Sequence, residues 1–450
     1  VNTAVFLPPE ETQLVLKGGE SIAGPVLQIT AIDSNDESVA RRQWMAQRLA
    51  LAEALYPAPE RSFPLVWNHW YAIRFDIGAD MLKRQLDQMK PFGIDAFVVD
   101  AGWYKDIGEW VPDPDKFEPG EFPAIMKEVE EQGVIPGIWS CPQFVSASKA
   151  DLPPEVDRPG YYRKFLDAFL LDLAGIDFTD MLTEHVRHLR RDFHADWWKY
   201  DQDFFAENTR AGVMNNVVAL QDALVGVREE NPDLIIENCQ SGGRMINEFT
   251  ALLTQVHWLR DGGENGLKHL RQNLEVGLGS LDFVFSTAAM RWTNNISRME
   301  GASEALIRAY CRSCMPGVWG IVEDFPKLDK RTAAVLREEV ANYRRLSEVK
   351  QYNLFETRLP EDGAPWAGIA WTDRDNARAA LLVFRWDAEG PIEFTWPMRY
   401  LNSEITYRVE DVDRGTTGRL TGNDGIESGC HGVLAEGRFA ALVFLTAMKP

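Results

Sequence analysis

Lysine and aspartate alternate in the short run Trp197-Trp198-Lys199-Tyr200-Asp201. If this run is a β-strand, Lys199 and Asp201 share one face and Trp198 and Tyr200 share the other, because successive side chains of a strand alternate. A lysine buried beside an aspartate is costly unless the pair contributes to structure or chemistry. The pattern therefore has two interpretations: a salt-bridged strand end, or a catalytic carboxylate beside a lysine that binds substrate.

Polar and aromatic side chains also follow other apolar runs of the chain. They are Asp100, Trp103, Trp139, Cys239, Arg244, Arg260 and Asp261. Two carboxylates on different strands of one site, surrounded by tryptophans, are the groups a glycoside hydrolase needs, one as nucleophile and one as proton donor and base. Lys199 would keep Asp201 ionised and bind a sugar hydroxyl. The alternative for Asp261 is a turn aspartate before two glycines, and Glu264 is a competing acid.

The elements that must position these groups follow a strand, loop, helix rhythm. Eight buried-type runs alternate with helical patterns, at Leu65–Tyr71, Ala96–Asp100, Val134–Trp139, Trp197–Asp201, Leu234–Glu237, Gln255–Trp258, Phe283–Phe285 and Gly317–Ile321. Continuously apolar strands are typical of a parallel sheet covered by helices. The number of strands and their span predict an α/β fold, a (β/α)8 TIM barrel. A doubly wound open sheet is the alternative, but no glycine-rich phosphate loop follows the first run.

Three segments are predicted. Residues 1–60 read as strands and a connecting helix from about Val39 to Ala54, ending at Pro57-Ala58-Pro59. Residues 61–350 hold the barrel and a closing helix at 330–347. From 351 to 450 the period shifts to two and turn residues multiply, which predicts a C-terminal antiparallel β-sandwich.

Composition limits the partners. The 68 acidic and 47 basic residues give a net charge of −21, which argues against nucleic acid or an anionic membrane and leaves carbohydrate as the expected partner. The sequence has no apolar run of about 18 residues, so no membrane span is predicted. The N-terminus shows no basic and then apolar pattern of a signal peptide. Five scattered cysteines favour a reducing compartment, so we expect the cytoplasm. The oligomeric state stays open, a homo-oligomer included.

No cofactor or metal is predicted. Cys311 and Cys314 form a single CxxC without a second ligand pair, and His185 and His188 lack the HExxH pattern of a zinc site. The loop Ser241-Gly242-Gly243 lacks the Lys-Ser/Thr of a nucleotide-binding loop.

Five motifs in order resemble those of the family 36 glycoside hydrolases, the bacterial-type α-galactosidases related to family 27. They are Val98-Val99-Asp100-Ala101-Gly102-Trp103, Gly137-Ile138-Trp139, Trp198-Lys199-Tyr200-Asp201, Glu237-Asn238-Cys239-Gln240-Ser241-Gly242-Gly243-Arg244 and Trp258-Leu259-Arg260-Asp261. The resemblance covers roughly residues 60–350. It implies Asp201 as nucleophile and Asp261 as general acid/base of a retaining enzyme. It also implies sugar contacts from Lys199, Asp100, Trp139, Cys239, Trp70 and Trp103. Arg244 and Arg260 would stabilise the motifs or bind hydroxyls.

The chain departs from the family pattern at three places. Ala101 stands where the family usually has a second aspartate that binds ring hydroxyls, and Arg260 stands where a small hydroxyl residue is commoner. About 60 residues precede the predicted barrel, where family members usually carry a large β-sandwich. The first departure makes an α-N-acetylgalactosaminidase, or an enzyme for another α-glycoside, an alternative to an α-galactosidase. Two further alternatives stay open independently of it: a transglycosylase of the same family, and a non-catalytic carbohydrate-binding barrel.

Overall fold

The computed structural model describes most of the chain from residue 63 onward. The described residues are 40, 43–44, 46–48, 50–51, 63–146, 162–163, 167–201, 210–243, 246, 248–262, 266–281, 288–299, 301–351, 355–360, 365–386 and 389–448. The predicted N-terminal strands lie outside them, and the predicted N-terminal helix is helical at each described position between 40 and 51.

Eight parallel strands form a closed barrel within the described part of the chain. They are β1 Leu65–Asn68, β2 Ala96–Val99, β3 Ile135–Ser140, β4 Trp197–Tyr200, β5 Ile235–Asn238, β6 Val256–Trp258, β7 Ala289–Asn294 and β8 Val318–Val322. Each strand pairs with its neighbours in the sequence, and β8 closes the barrel by pairing with β1. The prediction of a (β/α)8 barrel is confirmed.

A helix follows every strand and covers the outer face of the barrel. These helices are α1 Ala79–Met89, α2 Glu121–Glu131, α3 Phe178–Phe193, α4 Arg210–Glu230, α5 Glu248–Leu253, α6 Gly266–Ser280, α7 Glu304–Cys314 and α8 Lys330–Lys350. Polar caps begin several of them: Asp177 caps α3, Ser303 caps α7 and Asp329 caps α8 through side-chain oxygens that accept first-turn N–H groups. The strands are buried on both sides, which explains their continuous apolar sequences.

The seventh strand is not where the sequence pattern put it. The predicted run Phe283–Phe285 lies outside the described residues, and the seventh strand of the barrel is β7 at Ala289–Asn294, between β6 and β8. Its sequence hides it, because Arg291, Thr293 and Asn294 interrupt the apolar pattern. All of its residues are nevertheless buried.

The C-terminal part forms two antiparallel sheets. A six-stranded sheet contains β9 Phe355–Arg358, β10 Ala367–Thr372, β11 Arg378–Phe384, β13 Thr406–Asp411, β14 Thr416–Thr421 and β16 Ala440–Ala447, and a two-stranded sheet pairs β12 Ile392–Trp396 with β15 Cys430–Leu434. Alternation along β11 divides the packing: Leu382 and Phe384 join the core of the barrel, whereas Leu381 and Val383 pack in a second core with the two-stranded sheet. The predicted C-terminal sandwich is therefore confirmed.

Arginines connect α7 and α8 to the six-stranded sheet. Arg312, which is almost fully buried, forms paired hydrogen bonds with Glu339 and with Asp413, at 2.7–2.9 Å. Arg345 bonds both carboxylate oxygens of Glu410 at 2.8 Å. The division at residues 350 and 351 stays a proposal, and it coincides with the end of α8.

Candidate active site

One carboxylate of the site is Asp201, directly after β4. Nε1 of Trp139, near the end of β3, donates a hydrogen bond to its Oδ2 atom at 3.1 Å. Its backbone is fixed as well, because its N–H donates to the carbonyl of Ser140 and its carbonyl accepts from the side chain of Gln143. The Trp139 ring in turn stacks on Tyr104, with ring centroids 5.7 Å apart. The carboxylate is thus held at the carboxyl ends of the strands, where barrel active sites lie.

A buried ion pair forms the floor of the site. Nζ of Lys199 donates to Oδ2 of Asp100 at 2.7 Å, and both side chains are at most 4 % exposed. Asn68, at the end of β1, donates to the same oxygen, and the backbone N–H of Ala101 donates to Oδ1. Burial alone would raise the pKa of Asp100, but the neighbouring Lys199 lowers it below its usual value. Asp100 likewise keeps the pKa of Lys199 well above normal despite its burial.

Lys199 also touches two other groups. Its Nζ lies 3.6 Å from the centre of the Trp258 ring, a close cation–π contact. Oε1 of Glu237 lies 3.8 Å from the same atom and accepts no hydrogen bond from the described residues. Burial raises the pKa of Glu237 to about 7, and Lys199 opposes the shift. A buried glutamate with a raised pKa therefore lies beside the lysine.

The second carboxylate, Asp261, follows β6 and is exposed to solvent. Its Oδ1 atom accepts hydrogen bonds from the hydroxyl of Tyr71 at 3.0 Å and from Nε1 of Trp258 at 3.1 Å. The Tyr71 hydroxyl accepts from the backbone N–H of Gly262 at 2.8 Å. Burial, reinforced by the charge of Asp261, raises the pKa of Tyr71, so the phenol stays protonated and can donate.

These groups line one cavity of about 260 Å³. Its walls are Trp70, Tyr71, Arg74, Phe75, Asp100, Ala101, Tyr104, Trp139, Cys141, Phe144, Lys199, Asp201, Cys239 and Asp261. The volume lies just below the range of about 300–1,000 Å³ that is usual for drug-sized ligands, which suits a single sugar ring. Polar groups and aromatic faces together are the surfaces that sugars use for binding.

Seven residues predicted from the sequence thus meet in one place: Asp201, Asp261, Lys199, Asp100, Trp139, Cys239 and Trp70. Three do not. Trp103 is fully buried behind the cavity, where it stacks on Phe122 and donates to the carbonyl of Trp139. Arg260 does not line the cavity and donates to Gln272 of α6. Arg244 lies outside the described residues, as does the competing acid Glu264.

Sequence reasoning missed Tyr71, Arg74, Asn68 and Tyr104. Tyr71 and Arg74 follow β1 in a short helix at Trp70–Ile73 and its end, in a run that reads as a continued strand. The available signal was position, since Asn68 to Tyr71 directly follow the first barrel strand, where functional side chains collect.

The described residues contain neither a candidate metal site nor a candidate membrane span. No group of three or more His, Cys, Asp or Glu side chains there could hold a metal ion. Across the same part of the chain, no helix combines the length and apolar character needed to cross a membrane.

Comparison with known proteins gives a consistent set of similarities. The family model described as Melibiase matches residues 23–352. The α-galactosidase AgaA of Geobacillus stearothermophilus is 21 % identical over 432 residues, which is 90 % of this chain and 58 % of the relative. The α-galactosidase Mel36A of Lactobacillus acidophilus is 23 % identical over 348 residues, covering 71 % of this chain and 46 % of the relative. The chain thus spans about half the length of the curated relatives it matches.

Solved structures show the same fold. The crystal structure of AgaA from Geobacillus stearothermophilus superposes with a TM-score of 0.74 at 18 % identity, over 86 % of this chain and 56 % of that one. A variant of AgaA in complex with stachyose gives a TM-score of 0.77 at 18 % identity, and the superposition covers 91 % of this chain and 59 % of the variant. The α-galactosidase of Lactobacillus brevis gives a TM-score of 0.76 at 18 % identity, and the superposition covers 91 % of this chain and 58 % of that one.

Proposed function

The chain belongs to the Melibiase family, and from that premise we propose that it is a retaining glycoside hydrolase that releases terminal α-linked galactose. One observation carries the proposal: Asp201 and Asp261, on different strands, line the same sugar-sized cavity. Each accepts a hydrogen bond from a tryptophan N–H. The related α-galactosidases add support for the substrate class, and a stachyose complex of AgaA supports a carbohydrate ligand.

The reaction needs two displacements at the anomeric carbon. In the first, a carboxylate oxygen of Asp201 bonds to that carbon, the bond to the leaving oxygen breaks, and Asp261 gives its proton to that oxygen. In the second, Asp261 takes a proton from water, the water oxygen bonds to the anomeric carbon, and Asp201 departs as a carboxylate. Two inversions at one carbon give net retention.

The buried ion pair supplies the sugar contacts in this proposal. Lys199 has three N–H donors, of which Asp100 uses one, and Asp100 can accept from a hydroxyl on its remaining lone pairs. Hydrogen bonds to charged groups contribute more than neutral ones, about 1.5–3 kcal/mol each. Trp139 and Trp70 offer aromatic surface to the apolar face of the ring, and Cys239 adds a small apolar contact.

Ala101 favours a second candidate, an α-N-acetylgalactosaminidase of the same family. A transglycosylase also stays an alternative, on which Ala101 has no bearing. The methyl group of Ala101 lines the cavity next to Asp100 and offers no hydrogen bond to a hydroxyl. The cavity is therefore less charged on that side than the family resemblance implies. A panel of aryl α-galactoside, α-N-acetylgalactosaminide, α-glucoside and β-L-arabinopyranoside separates the hydrolases. The ratio of transfer product to free sugar at high acceptor concentration identifies a transglycosylase.

Replacement of the two carboxylates tests the mechanism. Asp201→Gly should lose hydrolysis of every substrate, and azide should restore turnover of an activated aryl α-galactoside with β-galactosyl azide as product. Asp261→Ala should still cleave the activated substrate, and azide should then give α-galactosyl azide, because the covalent intermediate is intact. Full activity of Asp201→Gly without azide would refute the nucleophile assignment. Sugar binding without any turnover by the wild type would favour a non-catalytic carbohydrate-binding barrel.

We also propose a cytoplasmic location and leave the oligomeric state to be measured. All five cysteines are free thiols and buried, which supports a reducing compartment such as the cytoplasm. A homo-oligomer stays a prediction, and light scattering on the purified chain measures it directly.

A further inference from the structure

The two oxygens of Asp261 differ in their surroundings. Oδ1 accepts from the Tyr71 hydroxyl and from the Trp258 indole, at 3.0 and 3.1 Å. Among the described residues, no side chain or backbone N–H donates to Oδ2. An oxygen that accepts two hydrogen bonds is the weaker site for a proton, because the proton would displace a donor. The proton of the neutral acid therefore resides on Oδ2.

The surroundings of Tyr71 fix the hydrogen bond from its hydroxyl to Oδ1 of Asp261. Its hydroxyl accepts the N–H of Gly262, so its own hydrogen is directed to Asp261. Its ring lies parallel to that of Trp292, at 7° with centroids 5.9 Å apart, and at 21° to that of Trp258. The guanidinium of Arg74 lies over the ring of Tyr71, 4.6 Å from the ring centre. Packing thus holds the phenol, which ties Asp261 to the turn after β1.

Trp258 links the same oxygen to the ion pair. Its ring lies parallel to Trp292, with centroids 4.1 Å apart, and carries the ammonium of Lys199 on its face. A cation above the ring withdraws electron density and makes the indole N–H a better donor. Both donors to Oδ1 are therefore fixed by packing, and neither depends on a mobile surface side chain.

We propose that Tyr71 is a positioning residue that, together with Trp258, reserves Oδ2 of Asp261 as the oxygen that gives and takes the catalytic proton. This inference rests on the proposed function. Lys199, Asp201, Cys239 and Arg74 line the same cavity as this carboxylate.

Tyr71→Phe removes the hydroxyl and keeps the ring. Two substrates test it: an α-galactoside with a dinitrophenyl leaving group, which needs no proton, and one with a sugar leaving group, which needs it. We expect kcat/KM for the sugar leaving group to fall about 10–50-fold, less than the ~10²–10⁴ of general acid catalysis as a whole. The dinitrophenyl substrate should change less than about threefold.

Tyr407→Phe is the matched control. Tyr407 is also buried, accepts a backbone N–H from Asn402 and donates to a carbonyl, that of Asn376, but it lies in the C-terminal sheet. The control should reproduce any loss of thermal stability without changing the ratio of kcat/KM between the two substrates.

The outcomes separate the two ideas. If Tyr71→Phe slows both substrates equally, the hydroxyl only anchors the Gly262 turn and the inference is wrong, while the proposed function stands. If Asp261→Ala retains full activity on the sugar leaving group, or if the wild type cleaves neither substrate, the proposed function fails and the inference falls with it.

Discussion

Gly242 lies so close to Asp261 that a Cβ atom on it would come within 2.2 Å of the Asp261 backbone nitrogen. Gly242 also has a φ of +77°, a conformation that side chains disfavour. The glycine pair after β5 therefore packs directly against the backbone of Leu259 to Asp261, the last of which is the proposed acid/base residue. This close contact between backbones requires glycine there without any bound phosphate.

Gly242→Ala should therefore displace Asp261. We expect a destabilisation of more than about 1 kcal/mol from the left-handed conformation alone, and a larger loss of activity, since a misplacement of about 1 Å can cost ~10²-fold. Substrates with poor leaving groups should suffer most. Gly279→Ala is the control: no heavy atom lies within 4 Å of its added Cβ, so this variant should gain up to about 1 kcal/mol. Equal activity of the two variants would contradict the supporting role.

Lys199→Met should damage both folding and binding. It leaves Asp100 charged and buried without its cation, which costs about 3–5 kcal/mol in comparable sites. Urea unfolding measures this loss, and kcat/KM for the aryl galactoside should fall by at least about tenfold, the value of one charged hydrogen bond. Lys83→Met, which breaks the exposed pair with Glu121, should cost less than about 1 kcal/mol.

The double variant Lys199→Met with Asp100→Leu distinguishes the two effects. Removing both charges should recover much of the stability, because apolar replacements of buried pairs are often neutral or better. Activity should stay low. Recovered activity in the double variant would show that the pair is structural and does not bind the sugar.

Glu237→Gln should change the pH dependence of stability. Burial raises the pKa of Glu237 from 4.5 to about 7, so between these values the folded chain holds a proton that the unfolded chain has released. The free energy of unfolding of the wild type therefore falls as pH rises through this window and levels off above it. The Gln variant lacks this loss and should gain on the wild type from pH 5 to pH 8, at about 1.4 kcal/mol per unit of pKa difference.

Melting temperatures at several pH values measure this effect. Glu229→Gln, at an exposed position of α4, should run parallel to the wild type over the whole range. If Glu237→Gln also runs parallel, Glu237 is already ionised at pH 5 and its charge is compensated by Lys199.

The sequence predicted what depends on local periodicity and on motif order. The barrel strands other than β7 were found because both of their faces are buried, and β7 was missed because Arg291 and Asn294 break its apolar run. Motif membership, however, does not say where a side chain points. Trp103 and Arg260 lie in the right motifs, yet one faces the core behind the cavity and the other faces α6.

Tyr71 shows the other limit of sequence reasoning. Its contact with Asp261 joins residues 190 positions apart, and it exists only because barrel closure brings the ends of β1 and β6 to one rim. No spacing in the chain encodes that distance. The same holds for the stack of Trp258 on Trp292, which requires the true register of β7.

The six-stranded sheet shares a core with the barrel through Leu382, Phe384, Leu442 and Phe444, and the buried Arg312 joins α7 to Asp413. The barrel and the six-stranded sheet cannot separate without exposing apolar side chains and leaving buried charges unpaired. The two layers should therefore melt in a single cooperative transition. A galactoside bound in the barrel cavity would then protect the C-terminal sheet from proteases, which makes limited proteolysis of that sheet a remote reporter of sugar binding.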